Sequence, residues 1–157
     1  MHDYQTINSP IGLLLMVATA DHLVRIERLA TAVIASTWHE ASNPVLEQAK
    51  QELDEYFQGT RIAFSTPFAA HGTDFQMQVW QALSEIGYGQ TLSYSDIASR
   101  IGRPRAVRAV GAAIGANPLL IRLPCHRVVG KTGALTGFSA GLMAKEWLLN
   151  HEQPKSG

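Results

Sequence analysis

The sequence predicts an α/β chain of the α+β kind, with a small antiparallel sheet and one helix in the first half and a mostly helical second half. Three observations predict it. Short apolar runs rich in β-formers, separated by turn residues, fill positions 4 to 29. Helix-start signals then recur at Asn43-Pro44, at Thr73 with Gln76, and at Ser93 with Asp96. The charge also changes sign along the chain: residues 1–71 hold four Arg or Lys against eight Asp or Glu, and residues 72–157 hold nine against five.

In the first half, Tyr4 to Ile7 reads as a strand. Ser9-Pro10-Ile11-Gly12 is turn chemistry, Leu13 to Thr19 a second strand and Leu23 to Leu29 a third, a β-meander. Asn43 caps a helix with Pro44 in its first turn. Leu46, Ala49, Leu53 and Phe57 repeat at helical spacing, and Gly59 stops the run. Arg61 to Phe64 reads as strand or loop, and Thr66 to Gly72 as a linker. No catalytic constellation stands out in this half.

In the second half, Phe75, Val79, Leu83 and Ile86 mark one helix face, broken by Gly87-Tyr88-Gly89. A short helix capped at Ser93 runs through Ile101 to the tight turn Gly102-Arg103-Pro104. A third helix, Ala106 to Ala116, is built almost wholly of Ala, Val, Gly and Ile, with Arg108 its one charged residue. Asn117-Pro118 ends it, because the residue before proline leaves the α region. Leu119 to Val129 carries the reactive segment, with Cys125 displayed at the end of a buried strand; Gly130 to Gly133 reads as a hairpin tip, and the stretch after Gly141 through Trp147-Leu148-Leu149 as a closing helix.

Composition narrows the class. At 46% hydrophobic and 17% charged residues the chain buries a core rather than staying disordered. Its longest apolar run, Ile11 to Ala18, is too short to cross a bilayer. The start, Met1-His2-Asp3-Tyr4, has no basic n-region, and a single cysteine forms no internal disulfide. Both fit a cytoplasmic protein with no membrane partner. The six histidines show no metal-ligand spacing, so no metal is expected.

Two constellations carry chemistry. The short helices joined at Gly102-Arg103-Pro104 look like a helix-turn-helix, with Arg100, Arg103, Arg105 and Arg108 close by. The small side chains of its second helix suit close approach to backbone and minor groove better than reading base edges. A tightly packed internal helix with Arg108 in a salt bridge is the competing reading, as is a merely solvated basic surface. The second constellation is Pro124-Cys125-His126. A thiolate is the attacking form of cysteine, and His126 is a ready base, with Glu146 or Glu152 as a carboxylate behind it. On an extended strand, however, neighbouring side chains point to opposite faces, so His126 reaches Cys125 only through a bend or a water. A buried, inert cysteine is the alternative.

The residues Pro124-Cys125-His126-Arg127-Val128 resemble the active-site signature of the O6-alkylguanine-DNA alkyltransferases, also called methylated-DNA–protein-cysteine methyltransferases. Arg108-Ala109-Val110-Gly111, Asn117-Pro118, Thr136-Gly137-Phe138-Ser139 and Lys145-Glu146-Trp147-Leu148-Leu149 extend the resemblance, which is strong from Gly72 to about Glu152 and weak before it. It implies a small N-terminal α/β domain with its linker over 1–71. Over 72–157 it implies a helical, winged-helix-like DNA-binding and alkyl-acceptor domain.

By the same resemblance Cys125 accepts the alkyl group, His126 deprotonates it through a bridging water, and Glu152 rather than Glu146 orients His126. Asn117 ties the recognition helix to the reactive turn. Arg108 replaces the extruded guanine, with Ala109, Gly111 and Arg105 on the DNA. Tyr94 donates to the flipped base, the backbone of Cys125 and Val128 accepts from its amine, and Phe138 and Ser139 complete the substrate loop. The implied partner is double-stranded DNA containing O6-alkylguanine, met by a monomer without a cofactor. The implied activity is irreversible transfer to Cys125, once per molecule, because the chain has no second cysteine.

The chain departs from the family pattern in two places, with Phe138 where tyrosine is common and Ala140 where glycine is usual. The zinc site of some relatives has no cysteines here to hold it. A damage-binding module that flips the base without dealkylating it, and a Cys-His-Glu thiol hydrolase, are the readings from other classes.

Overall fold

The computed structural model describes residues 1–130 and 141–154. These form two compact units, residues 1–70 and residues 71 onward.

In the first unit, β1 (Asp3–Ile7), β2 (Leu14–Ala18) and β3 (Leu23–Arg28) form the expected antiparallel meander, with Tyr4 opposite Val17 and Met16 opposite Ile26. The two-residue β4 (His39–Glu40) adds to β1 in parallel, giving the order β3-β2-β1-β4. It is too short and too exposed to leave a signal in the sequence. Every residue of the central strand β2 is buried, which accounts for its unbroken apolar run.

Helix α1 (Pro44–Gln58) starts where the sequence predicts: the Asn43 side chain accepts from the Leu46 amide at 2.9 Å, and Gly59 closes the helix at φ 83°. Its buried face is turned slightly from the predicted one, with Tyr56 rather than Phe57 fully enclosed. Residues 66–69 do not run as a loose linker. Thr66 is buried, the Leu23 amide donates to the Pro67 carbonyl, and the Ala69 amide donates to the Leu23 carbonyl.

The link is fastened by Glu52, on the buried face of α1. Its carboxylate accepts from the amides of Ser65 (3.1 Å) and Thr66 (2.9 Å) and from both their hydroxyls. Burial pushes this carboxyl up, but those hydrogen bonds outweigh it and hold it down at about 2.

The second unit opens with α2 (Asp74–Ser84), whose Thr73/Gln76 capping box is complete. The pair β5 (Leu92–Ser93) and β6 (Val128–Val129) is parallel, and α3 (Tyr94–Arg100) follows directly from a second capping box at Ser93 and Asp96. Gly102, at φ 76°, makes the turn to α4 (Val107–Gly115), and α5 (Leu142–Glu152) closes the unit. The Trp80 indole donates to the Ala113 carbonyl at 2.9 Å, locking α2 to α4.

The predicted strand leading to Cys125 does not form; within 119–129 only Val128–Val129 is extended in a sheet. The apolar run is overridden by local constraints. Asn117 claims the backbone, accepting from the Leu119 amide at 2.9 Å and donating to the Leu123 carbonyl at 2.8 Å. Ile121 sits at φ 71°, and Cys125–Arg127 coil into a single 3-10 turn after Pro124. Burial of Leu119, Ile121 and Leu123 against the unit's core stabilises a folded turn that propensity alone would not select.

Candidate active site

The 3-10 turn changes the relation between Cys125 and His126. The opposite-face rule for a strand no longer applies, because successive residues in the turn are rotated around a tight coil rather than alternating. Cys125, His126 and Arg127 are all buried.

The imidazole is held from behind. His126 Nε2 lies 2.6 Å from Glu152 Oε2, near the end of α5. His126 Nδ1 is buried and has no hydrogen-bond partner among the described residues. Since the carboxylate side takes Nε2–H, Nδ1 is the nitrogen left with an accepting lone pair. Glu146, the other carboxylate considered, is exposed on α5.

Two buried cations flank the site, and neither was foreseen from the sequence. Arg127 grips Glu152 through Nε (2.8 Å to Oε1) and Nη2 (3.0 Å to Oε2), and its Nη1 donates to the Ile86 carbonyl at 2.7 Å. Lys145 is fully enclosed, donates to the Val128 carbonyl at 2.6 Å, and lies 6.0 Å from the centre of the Tyr94 ring. One signal was available: Lys145, Leu148 and Glu152 fall at i, i+3 and i+7 on α5, so two ionisable residues share its buried face. Arg127 offered none beyond its place next to His126.

These surroundings set the protonation of the pair. Burial pushes the Cys125 thiol up, to about 11, against the pull of the Asn117 side chain and the Lys145 charge. Burial lowers His126 below the ordinary imidazole value; Glu152 opposes that shift, and the charges of Arg127 and Lys145 add to it. Both shifts favour the uncharged forms, a thiol and a neutral imidazole.

The predicted DNA-facing residues sit elsewhere on the same unit. Arg100, Arg103, Arg105, Arg108 and Ala109 are exposed, and no ion pair among the described residues involves Arg108. That removes the reading of α4 as an internal helix with a salt-bridged arginine: only Val110, Ala113 and Ile114 are buried. Gly111 lies against Tyr94, and a methyl group there would meet the ring at 3.9 Å.

Residues 74–154 match the family model described as "6-O-methylguanine DNA methyltransferase, DNA binding domain", and residues 3–70 match its "ribonuclease-like domain". The chain belongs to the 6-O-methylguanine DNA methyltransferase family.

Within this family it is 43% identical over 160 residues to the constitutive methylated-DNA–protein-cysteine methyltransferase of Bacillus subtilis, covering 98% of this chain and 96% of the relative. The inducible protein of that organism is 56% identical over 111 residues, which is 71% of this chain and 62% of the relative. Among solved structures, Mycobacterium tuberculosis OGT in complex with DNA superposes with a TM-score of 0.90 at 40% identity, covering 98% of this chain and 96% of that one.

On this family member, the structure brings Cys125, His126, Glu152 and Asn117 together and sets Val128, Lys145 and Tyr94 beside them. The carbonyls named as acceptors for the substrate are already in use: Val128 O receives Lys145, and Cys125 O receives the Val128 amide. Each keeps a second lone pair. Phe138 and Ser139, the hairpin tip beyond Gly130, and the departure at Ala140 lie outside the described residues.

Proposed function

We propose that this protein repairs DNA directly, taking the alkyl group of an O6-alkylguanine in duplex DNA onto Cys125, once per molecule. The observation that carries the proposal is the buried hydrogen bond between Glu152 and His126 Nε2, which leaves Nδ1 with no partner among the described residues, on the residue next to the one cysteine of the sequence and in a unit that also presents a helix-turn-helix with exposed arginines.

A guanine stacked in a duplex cannot meet a buried thiol, so the base is extruded. Arg108 fills its place, with Arg105 on the flanking phosphates and Ala109 and Gly111 allowing close approach of α4. Tyr94, Val128, Phe138 and Ser139 receive the base.

His126 Nδ1 takes the thiol proton through a water while the sulfur attacks the alkyl carbon in line. The S–C bond forms as the C–O6 bond breaks, and the electron pair passes to the guanine, which is protonated as it leaves. Tyr94 donates to the base and disperses that charge. Asn117 holds the turn to α4, so base extrusion and the thiol share one rigid element.

The product thioether resists water, and no other cysteine can relieve it, so transfer is stoichiometric. The chain acts on DNA as a monomer without a cofactor, in the reducing cytoplasm where its thiol persists. Residues 1–71 serve as a supporting domain and 72–157 as the alkyl acceptor.

A duplex with a single O6-methylguanine, followed by peptide mapping, tests this: one methyl group on Cys125 and restored guanine are expected. Binding with no modification would indicate a damage-binding module, and turnover of an ester a thiol hydrolase; either result overturns the proposal.

A further inference from the structure

The feature that transfer to Cys125 leaves unexplained is the buried arginine behind the histidine. Glu152 Oε2 receives two donors, His126 Nε2 at 2.6 Å and Arg127 Nη2 at 3.0 Å, while Oε1 receives Arg127 Nε at 2.8 Å and the Gly89 amide at 3.2 Å. Arg127 is itself fixed from outside. Its third nitrogen donates to the Ile86 carbonyl just past the end of α2, and its guanidinium lies 5.8 Å from the centre of the Tyr88 ring.

Burying a guanidinium is costly unless its geometry is well used, and here each of its three nitrogens donates a hydrogen bond. A carboxylate facing only an imidazole would stabilise the imidazolium, and a protonated His126 cannot take a proton from the thiol. Sharing the same carboxylate with a permanent cation offsets part of that attraction yet keeps the hydrogen bond that orients the ring.

Building on the alkyl-transfer reading above, we infer that Arg127 is a positioning residue: its bidentate ion pair with Glu152 holds His126 as the Nε2–H tautomer and leaves Nδ1 as the accepting nitrogen. The charged and titratable groups around His126 fit this role. Glu152 and Lys145 face it from α5, Cys125 and Arg127 belong to its own turn, Tyr88 lies under the guanidinium from the connection after α2, and Tyr94 of α3 lies by Lys145. Among them Glu152 alone favours the imidazolium, and Arg127 is the group that grips Glu152 directly.

The test uses the full chain with ¹⁵N-labelled histidine, in the wild type and in Arg127→Met and Arg127→Lys. His126 ring shifts are followed against pH, and transfer from free benzylguanine is timed over the same range. In Arg127→Met the pH of half-protonation of His126 rises, and the rate falls roughly fivefold more at about pH 6 than at about pH 8. Lysine keeps the charge but cannot grip both oxygens, so Arg127→Lys moves both readings in the same direction by less. If Arg127→Met does not fold, the lysine variant decides alone.

A rate lowered equally at every pH, with the His126 titration unmoved, would make Arg127 a packing residue and overturn the inference. Failure of the alkyl-transfer reading is separate: the wild type would then transfer nothing, while the ring titration still reports the effect of Arg127.

Discussion

Glu52 and Glu152 are both buried carboxylates, and one sits in each unit of the molecule. Glu52 gathers hydroxyls and amides from Ser65 and Thr66, with Arg61 Nη1 at 3.6 Å. It binds the end of the first unit to α1 and faces nothing that reacts. Glu152 gathers an imidazole and a guanidinium, and the imidazole carries its effect to a thiol. Burial and a full set of donors are common to both, so neither marks function. What separates them is whether a donor can itself change protonation and pass the change to a nucleophile.

The sharpest way to break this contrast is to neutralise each carboxylate in turn. Glu152→Gln should slow alkyl transfer by about a hundredfold or more, since the imidazole loses both orientation and charge support. It should also lower stability by roughly 3 kcal/mol by leaving Arg127 buried without its anion. Transfer from benzylguanine and urea denaturation measure the two effects.

On the same unit, Arg108→Ala should weaken repair of duplex DNA by about tenfold and leave reaction with free benzylguanine unchanged. An equal fall in both would make Arg108 structural.

Glu52→Gln should leave transfer untouched and cost about 2 kcal/mol of stability at neutral pH. The sign follows from a folded-state value held near 2, below the ordinary 4.5. In the wild type this contribution is complete above about 4.5 and is lost as pH falls toward 2. Denaturation midpoints between pH 5 and pH 2.5 should therefore drop less steeply in the variant than in the wild type. The smallest effect is at the start of α1, where Asn43→Ala removes the cap on Leu46 and should cost about 1 kcal/mol.

The difference between the carboxylates also explains how much could be read in advance. Features set by near neighbours were legible: the Asn43 cap, the boxes at Thr73/Gln76 and Ser93/Asp96, the meander, and the Asn117-Pro118 stop. Features set by distant partners were not. Glu52 reads as one more polar helix residue because its donors lie thirteen and fourteen positions downstream. Arg127 is defined by Glu152, twenty-five positions away. The segment before Cys125 departs from its pattern for a related reason: its aliphatic run has the composition of a strand, but Asn117 and Pro124 fix the backbone against one. The difference bears on chemistry, since in the 3-10 turn His126 and Cys125 no longer alternate across a strand.

Alkyl transfer to Cys125 is read most directly by intact mass and peptide mapping of the full chain after incubation with a duplex carrying one O6-methylguanine. A single added methyl group is expected, located on Cys125, with guanine restored in the DNA and no further transfer when fresh duplex is added. Protein that binds the duplex yet stays unmodified, or a methyl group found on any other residue, would contradict it.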